Sequence, residues 1–589
     1  MTPGNGATGS GHGTDGTTAG ATAGERAGVA PARLRFGIVL DGPAPNAWQA
    51  AMLEHLERSG AAELALVVVA EAGPARSGRS GRGGRLPAPP ARSMAGVAFQ
   101  LFATRLSRSK AMRPCDAVPW PDRVPVVHVP LIRKGLSTAV FRDEDVGTVR
   151  AHRPDVLVWL GTGDLAGGIL EAARHGLWSF RHGDAERYPD GPLGFWEIVG
   201  GQPVVGATLG RLTASASGVV TLRRGWFATS PESYGRTRDR VLFGAAAWPA
   251  YVCREILLGA SGDGQPSLAV AVAGPELSLR ACFRFVTRLA RARLRGLWHH
   301  GMRHDDWNVG VVDAPVATFL AGDVLHDVAW APTRRGHYAA DPFGRWDGTT
   351  LRVLYEDYSH ARGAASIAHR RWSRERGWER SEPALEIGSH LSYPFLFEHE
   401  GRSFLLPESR ATGKLVLYAS ADPGGPWQPQ ATLGVDGDIA DATLLHHDGL
   451  WWMFAARPNR LNPSTELGIW YATRPDGPWR EHPRNPVLVD VRSARPAGPV
   501  FAVDGQLYRP AQDCSTGYGD RLVIKRIVTL TTERFEEEAV SVVRPNPSGA
   551  FPYGVHTLTG VGPLTLVDGK RRVWDSAALA RVIGGRLRR

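Results

Sequence analysis

Cysteine is scarce in this chain: four in 589 residues, Cys115, Cys253, Cys282 and Cys514, with neither paired nor zinc-ligand spacing. That excludes a disulfide scaffold and a zinc-finger type of site, and it fits a reducing compartment. No apolar run reaches the ~18 residues of a membrane span, and the start, MTPGNGATGSGHGTDGTTAGATAGERAG, has no basic stretch followed by an apolar one. Neither a transmembrane segment nor a secretory leader is expected, and the expected location is cytoplasmic. Large apolar residues are missing from the opening segment as well, so residues 1–32 are expected to be a disordered tail. Acidic residues are outnumbered, 58 against 69 basic ones, and the net charge is +11. Part of the excess sits in GPARSGRSGRGGRLPAPPARS, from Gly73 to Ser93, which lacks interleaved aromatics and reads as a solvated loop; no nucleic-acid partner is expected.

What the chain does have, from Asp341 onward, is a repeat. DPFG…WDGTTLRVLYEDYS is echoed by YPFLFEHEGRSFLLPES from Tyr393, ATLLHHDGLWWMFAA from Ala442, GPVFAVDGQLYRPAQD from Gly498 and HTLTGVGPLTLVDGKRRV from His556. Each copy is an apolar strand, a turn of Asp-Gly, Glu-Gly or similar type, and a second strand rich in aromatic and β-branched residues. The period of roughly 50 residues is that of a four-stranded propeller blade, and five copies predict an all-β five-bladed propeller over residues 307–589.

The first part reads differently. LRFGIVLDG from Leu34, AWQAAMLEHLERSG and LALVVVAEAG form a strand, helix, strand series, and PDVLVWLGTGDLAGGILEAARHG from Pro154 adds another strand and crossover. A doubly wound α/β sheet over 33–228 follows, with its crevice beyond the strand C-termini near Asp41 to Asn46, Gly161 to Asp164 and His182 to Asp184. Residues 229–306 then form a helical junction: Arg238 to Arg295 alternates apolar and basic residues at helical spacing, read as two amphipathic helices whose Arg-rich face is solvated rather than laid on an anionic membrane. The cluster WHHGMRHDDWN from Trp298 fits no metal motif, and no metal is assigned.

Over Leu34 to Arg224 the order of pieces, ending in LWSFRHGDAERYPDGPLGFWEIVGGQPVVGATLGRLT, resembles the formyltransferase fold of methionyl-tRNA and sugar formyltransferases. The resemblance implies a folate-type one-carbon donor and an Asn, His, Asp catalytic set, of which only His182 is present. Phe180 stands at the Asn position, and no acid occurs between Glu197 and Glu232 where the Asp belongs. A phenyl ring donates nothing to an oxyanion, so folate-dependent formyl transfer is not expected and no cofactor is assigned. His182, Asp184, Arg187 and Asp190 are left around the crevice, His182 as a catalytic and Asp184 as a binding candidate, or else both merely satisfy local backbone groups.

In the repeats, the polar residues that open and close each copy should gather round the axis. These are Asp341 and Glu356, then His390, Tyr393 and Glu408, then Asp441, then Arg509 and Asp513, and finally His556. Paired carboxyl groups suit sugar chemistry, one protonating a leaving oxygen while the other acts as base or nucleophile; the alternative is that each caps a turn or braces a blade. The repeats resemble glycoside hydrolase propellers, whose DPF-type openings supply a catalytic Asp. SYPFLFEHEG…LPES, DATLLHHDGLWWMF and RPAQDCS…YG resemble the N-terminal propeller of plant glucosamine inositolphosphorylceramide transferases. The hydrolase likeness implies Asp341 as nucleophile or base and Glu408 or Asp513 as acid. The other polar residues that open or close a copy, Glu356, His390, Tyr393, Asp441, Arg509 and His556, are the substrate-binding candidates. A protein that modifies or transfers to a sugar or glycoconjugate is the expectation. A glycan- or partner-binding scaffold, and a formyl or acyl transferase with altered residues, are the alternatives.

Overall fold

The computed structural model describes residues 33–574 apart from 43, 73–93, 116–119, 135–137, 189–190, 215–217, 261–264, 267–274 and 436. The expected N-terminal tail, the Arg-rich run from Gly73 to Ser93, and Asp190 lie outside the described residues.

Leu34–Leu40 is apolar on both faces because both are covered. Phe36, Ile38 and Leu40 pack with Trp48, Met52 and Leu56 of the helix Ala47–Arg58, whereas Val39 lies in a second cluster with Val146 and Val149 of the helix Asp143–Ala151. Buried on both sides, such strands pair in parallel. Leu177–His182, Val156–Trp159, Leu34–Leu40, Ala62–Ala72 and Val126–Lys134 are consecutive neighbours, all parallel. Val204–Leu212 and Val219–Ala228 extend one edge antiparallel. The opposite edge ends on Asp164–Ala166, yet Asp164 receives the Arg181 guanidinium from Leu177–His182 at 3.2 Å, so the sheet curls. The first part is thus a curled sheet with a parallel core and helices packed on it.

The junction holds three described helices rather than two, Tyr234–Ala245, Trp248–Leu257 and Leu279–Met302. Ser233 and Ser278 cap the first and third, accepting from the N–H of Arg236 at 3.3 Å and of Ala281 at 3.2 Å. Trp248–Leu257 lies where sheet meets propeller: Arg254 pairs with Glu481, Arg223 donates to the Pro486 carbonyl at 2.7 Å, and Val489 belongs to the same apolar cluster as Ile38.

From Arg303 the chain forms five sheets, antiparallel apart from the short parallel pairing of Asp323–Val324 with Phe535–Arg544. Blades one to four begin with His337–Trp346, Ser392–His399, Ala440–His447 and Arg495–Pro496. The fifth joins Leu558–Val561 and Leu564–Trp574 to Arg303–Val312, so the C-terminal hairpin closes the ring on a strand that precedes blade one. Glu400-Gly401, Asp448-Gly449 and Asp504-Gly505 all carry positive φ at both residues, the two-residue turn that matches strand twist.

A bulge recurs where the inner strands pass the axis. Register shifts after Ala340, Ser392 and Ala440, and the displaced residues Asp341, Tyr393 and Asp441 sit at φ 52, 44 and 55°. Blade four has Gly498 here, at φ 130°, where a Cβ would lie 2.2 Å from the Leu558 carbonyl oxygen. Gly498→Ala is therefore expected to lose at least ~3 kcal/mol of stability in urea unfolding; a loss under about 1 kcal/mol would show that the approach is not tight.

Candidate functional site

The bulges aim side chains of several blades at one another. Asp341 accepts at Oδ2 from the Tyr393 N–H at 3.2 Å and at Oδ1 from the Thr557 hydroxyl at 3.0 Å, and His556 Nε2 lies 3.2 Å from that same Oδ1. Asp568, fully buried in the last strand, takes the N–H groups of Asp341 at 3.2 Å, His556 at 2.8 Å and Thr557 at 3.1 Å, and its Oδ2 is 2.6 Å from His556 Nδ1. Asp441 receives the Arg495 guanidinium at both oxygens, 2.6 and 3.1 Å, and the Gln512 amide at 2.9 Å. The Asp441 N–H donates to Glu408 at 3.1 Å. Glu356 accepts from the Tyr338 hydroxyl at 3.3 Å, with His390 Nε2 3.8 Å away.

Burial dominates the electrostatics of this centre. It pushes Asp341 up to about 6, against the pull of His556 and with the push of Asp441 and Asp568. Glu408 rises to about 8 through burial and the nearby Asp441, although Arg495 opposes it. Glu356 is held well above the usual carboxylate range by burial, Asp341 and Glu408. Burial pulls His556 down, but Asp568 and Asp341 outweigh it and the imidazole stays above its ordinary value. The centre thus pairs carboxyl groups whose hold on a proton is raised, Glu408 up to about 8, with others that face cations. Asp341, His556 and Asp568 offer ligand atoms within 4.8 Å of one another, a donor set that could take a divalent cation. Round this centre are aromatic faces: Tyr338 stacks on Tyr358 at 4.6 Å, and half-exposed Tyr518 lies 5.2 Å from both the Arg495 guanidinium and the His556 ring.

Residues 306–550 match the family model described as glucosamine inositolphosphorylceramide transferase 1, N-terminal. Proteins named glucosamine inositolphosphorylceramide transferase 1 are similar over part of the chain. That of Oryza sativa subsp. japonica is 36% identical over 222 residues, and that of Arabidopsis thaliana 34% over 215. These alignments take in 36% and 35% of this chain but 29% and 27% of the relatives, so the chain spans under a third of their length. Among solved structures, a family 117 glycoside hydrolase of Zobellia galactanivorans overlaps 36% of this chain and 73% of its own at 15% identity and a TM-score of 0.30. A GH43_1 enzyme from Xanthomonas citri overlaps 41% and 90% at 12% and 0.30. At such TM-scores the overlap assigns nothing to this chain.

Of the residues expected to converge, Asp341, Glu356, Glu408, Asp441 and His556 do, with His390 at the edge, its side chain 42% exposed. Three do not offer themselves to a ligand. Successive residues of Gln506–Asp513 point to opposite faces, so with Gln512 on Asp441, Arg509 and Asp513 face away. Arg509 is tied to Glu537 at 2.7 and 2.9 Å, and Asp513 to Arg521 and the Ser515 N–H, both at 2.9 Å. Tyr393 is fully enclosed, its hydroxyl 2.8 Å from that of Thr443 and accepting from the Gly498 N–H at 2.9 Å, which makes it a brace between blades.

Arg495 and Asp568 went unread in the sequence. Arg495 lies three residues before Gly498, the offset of His390 from Tyr393. Asp568 sits in an Asp-Gly pair that looks like the repeats' turn signal, but the fifth hairpin turns at Gly562 and the pair runs mid-strand.

In the first domain, His182 stacks on Phe180 at 5.2 Å and meets the edge of Trp48 at 5.0 Å. Its Nε2 is enclosed without a partner, and burial pulls its pKa down to about 4. Aromatic rings therefore occupy the flank where an oxyanion donor was sought. Asp184 caps its own turn, accepting from the Arg187 N–H at 3.3 Å, and donates its N–H to Glu197, which burial raises to about 7. A cavity of about 630 Å³ lined by Arg150, Arg153, Arg174 and Arg211 lies at the other end of the sheet, where Leu177–His182 begins.

Glu408 gives a stability test. Its folded pKa, about 8, exceeds its ordinary value, so its contribution is present below about 4.5 and lost as pH rises toward 8. The parent should lose stability faster than Glu408→Gln across that window, by up to about 1.4 kcal/mol per pH unit in urea unfolding; parallel slopes would mean that Glu408 ionises freely.

Proposed function

We propose that the propeller centre takes the sugar part of a glycoconjugate, and that the chain modifies it or transfers a group to it. The observation that carries this reading is the gathering of Asp341, Glu356, Glu408 and Asp441 from three blades, with Glu408 protonated at neutral pH and Asp341 raised only to about 6. In this reading Glu408 gives its proton to the departing glycosidic oxygen as the C–O bond breaks, and Asp341 takes the proton of the attacking hydroxyl as the new C–O bond forms. The stacked Tyr338 and Tyr358 and the exposed face of Tyr518 supply surfaces for sugar rings. The acid-rich centre favours a sugar bearing an ammonium group, and the names of the relatives, which include glucosamine, support that class.

A non-catalytic glycan-binding reading has its own support: Arg495 already occupies both oxygens of Asp441, and His556 lies between Asp341 and Asp568. Formyl or acyl transfer by the first domain has the Phe180 ring and the enclosed, neutral His182 against it.

The experiment is incubation of the full chain with hexosamine-bearing inositol phospholipids and with nucleotide-hexosamine donors plus inositol phospholipid, with products read by mass spectrometry. Turnover should follow a bell in pH with limbs near 6 and 8, the values of Asp341 and Glu408. Asp341→Asn and Glu408→Gln should each lower kcat at least ~100-fold. Binding without turnover would favour the scaffold, and undiminished turnover in both variants would move the chemistry elsewhere.

A further inference from the structure

The helix Leu279–Met302 contains six arginines and no acidic residue. It is not simply amphipathic, because it carries two apolar stripes. One, Ala281, Phe285 and Leu289, is buried against Phe99, Phe195 and Tyr234. The other is bare: Leu279, Phe283, Val286, Leu294 and Leu297 are 55, 70, 47, 67 and 54% exposed. At 3.6 residues per turn these five fall within a sector of about 80°. Arg280, Arg284, Arg291 and Arg295, all exposed, line one flank of that sector, while Arg293 on the other side donates to the Glu232 carbonyl at 2.8 Å. Beyond Leu297, on the arginine flank of the stripe, Trp298 is 55% exposed and edge-on to the equally exposed Trp574.

The neighbouring helix Met94–Leu101 repeats the arrangement. Its Phe99 packs on Phe285 and its Ala95 carbonyl accepts from Cys282, while Met94, Val97 and Leu101, spaced by three and four, remain 78, 46 and 50% exposed. No helix among the described residues is long and apolar enough to cross a membrane.

We infer that Leu279–Met302, with Met94–Leu101 beside it, is a docking surface for an anionic phospholipid membrane, lying in the plane of the interface. Scattered exposed leucines need no explanation, but a one-sided stripe flanked by arginines, on a helix without an acidic residue, does. Such a stripe sinks into the acyl boundary while the arginines reach lipid phosphates, and a terminal Trp suits the headgroup level. Charge decides against a second copy of this chain as the occupant, since two such faces would bring arginines together with no acid on either helix to offset them.

The test is flotation of the full chain with vesicles of phosphatidylcholine alone and of phosphatidylcholine with about a third phosphatidylserine. Binding should be at least ~10-fold stronger to the anionic vesicles and should weaken with salt. Phe283→Glu/Leu294→Glu and, separately, Arg284→Gln/Arg291→Gln should each lower it ~10-fold or more. These side chains are exposed, so circular dichroism should be unchanged. The inference is overturned if the parent does not float with anionic vesicles, if neutral vesicles bind it equally, or if both double variants float like the parent. It is also overturned if light scattering shows a dimer that Phe283→Glu/Leu294→Glu disperses without lipid binding by the parent.

Discussion

The propeller depends on one recurring arrangement, in which the backbone N–H exposed by each axial bulge is held by a side chain from another blade. Asp568 of the last blade holds the N–H of Asp341, Asp341 holds that of Tyr393, Glu408 of blade two holds that of Asp441, and the Tyr393 hydroxyl holds that of Gly498. A left-handed conformation in a residue with a Cβ costs of order 1–3 kcal/mol and persists only where the surroundings over-determine it. Here the over-determination comes from the axis itself. The same carboxyl groups that make the centre chemically interesting also fix the blades' inner strands, so function and closure share atoms.

This sharing explains how the ring is shut. The last hairpin pairs along its length with Arg303–Val312, which supplies backbone hydrogen bonds but no information about the axis. Asp568 supplies that information, receiving three N–H groups, from Asp341 in blade one and from His556 and Thr557 in its own. A buried carboxylate with three donors is well satisfied, whereas one left without them would be among the costliest groups in the molecule.

The sequence showed the architecture through its turns and periods: Glu400-Gly401, Asp448-Gly449 and Asp504-Gly505 form the turns their composition requires, and the parallel core around Leu34–Leu40 follows from strands apolar on both faces. Asp341, Glu408 and Asp441 were visible because they open or close a copy. Arg509, Asp513 and Tyr393 were equally visible for that reason, yet their directions depend on strand parity and on bulges, and a repeat pattern carries neither. Asp568 was hidden because Asp-Gly means a turn in an exposed hairpin and close packing mid-strand. Gly569 is needed there because a Cβ would lie 2.4 Å from the Trp330 ring.

Charge balance sets the terms for any ligand of the centre. Among the described residues, the ion-pair partners of Asp341, Asp441, Asp568, Glu356 and Glu408 are Arg495, His556 and, on Glu356, His390, whose pKa burial lowers; full ionisation would bury several uncompensated charges. The proton that Glu408 keeps up to about 8 relieves part of this, burial and the neighbouring acids raise Glu356 in the same direction, and the raised pKa of Asp341 marks what remains. A neutral hydroxyl entering the centre leaves that balance as it is, whereas an ammonium group offsets the residual charge and lets one carboxyl release its proton. Binding a cationic sugar would therefore be coupled to proton loss, so its affinity should rise with pH through the range in which Asp341 and Glu408 titrate.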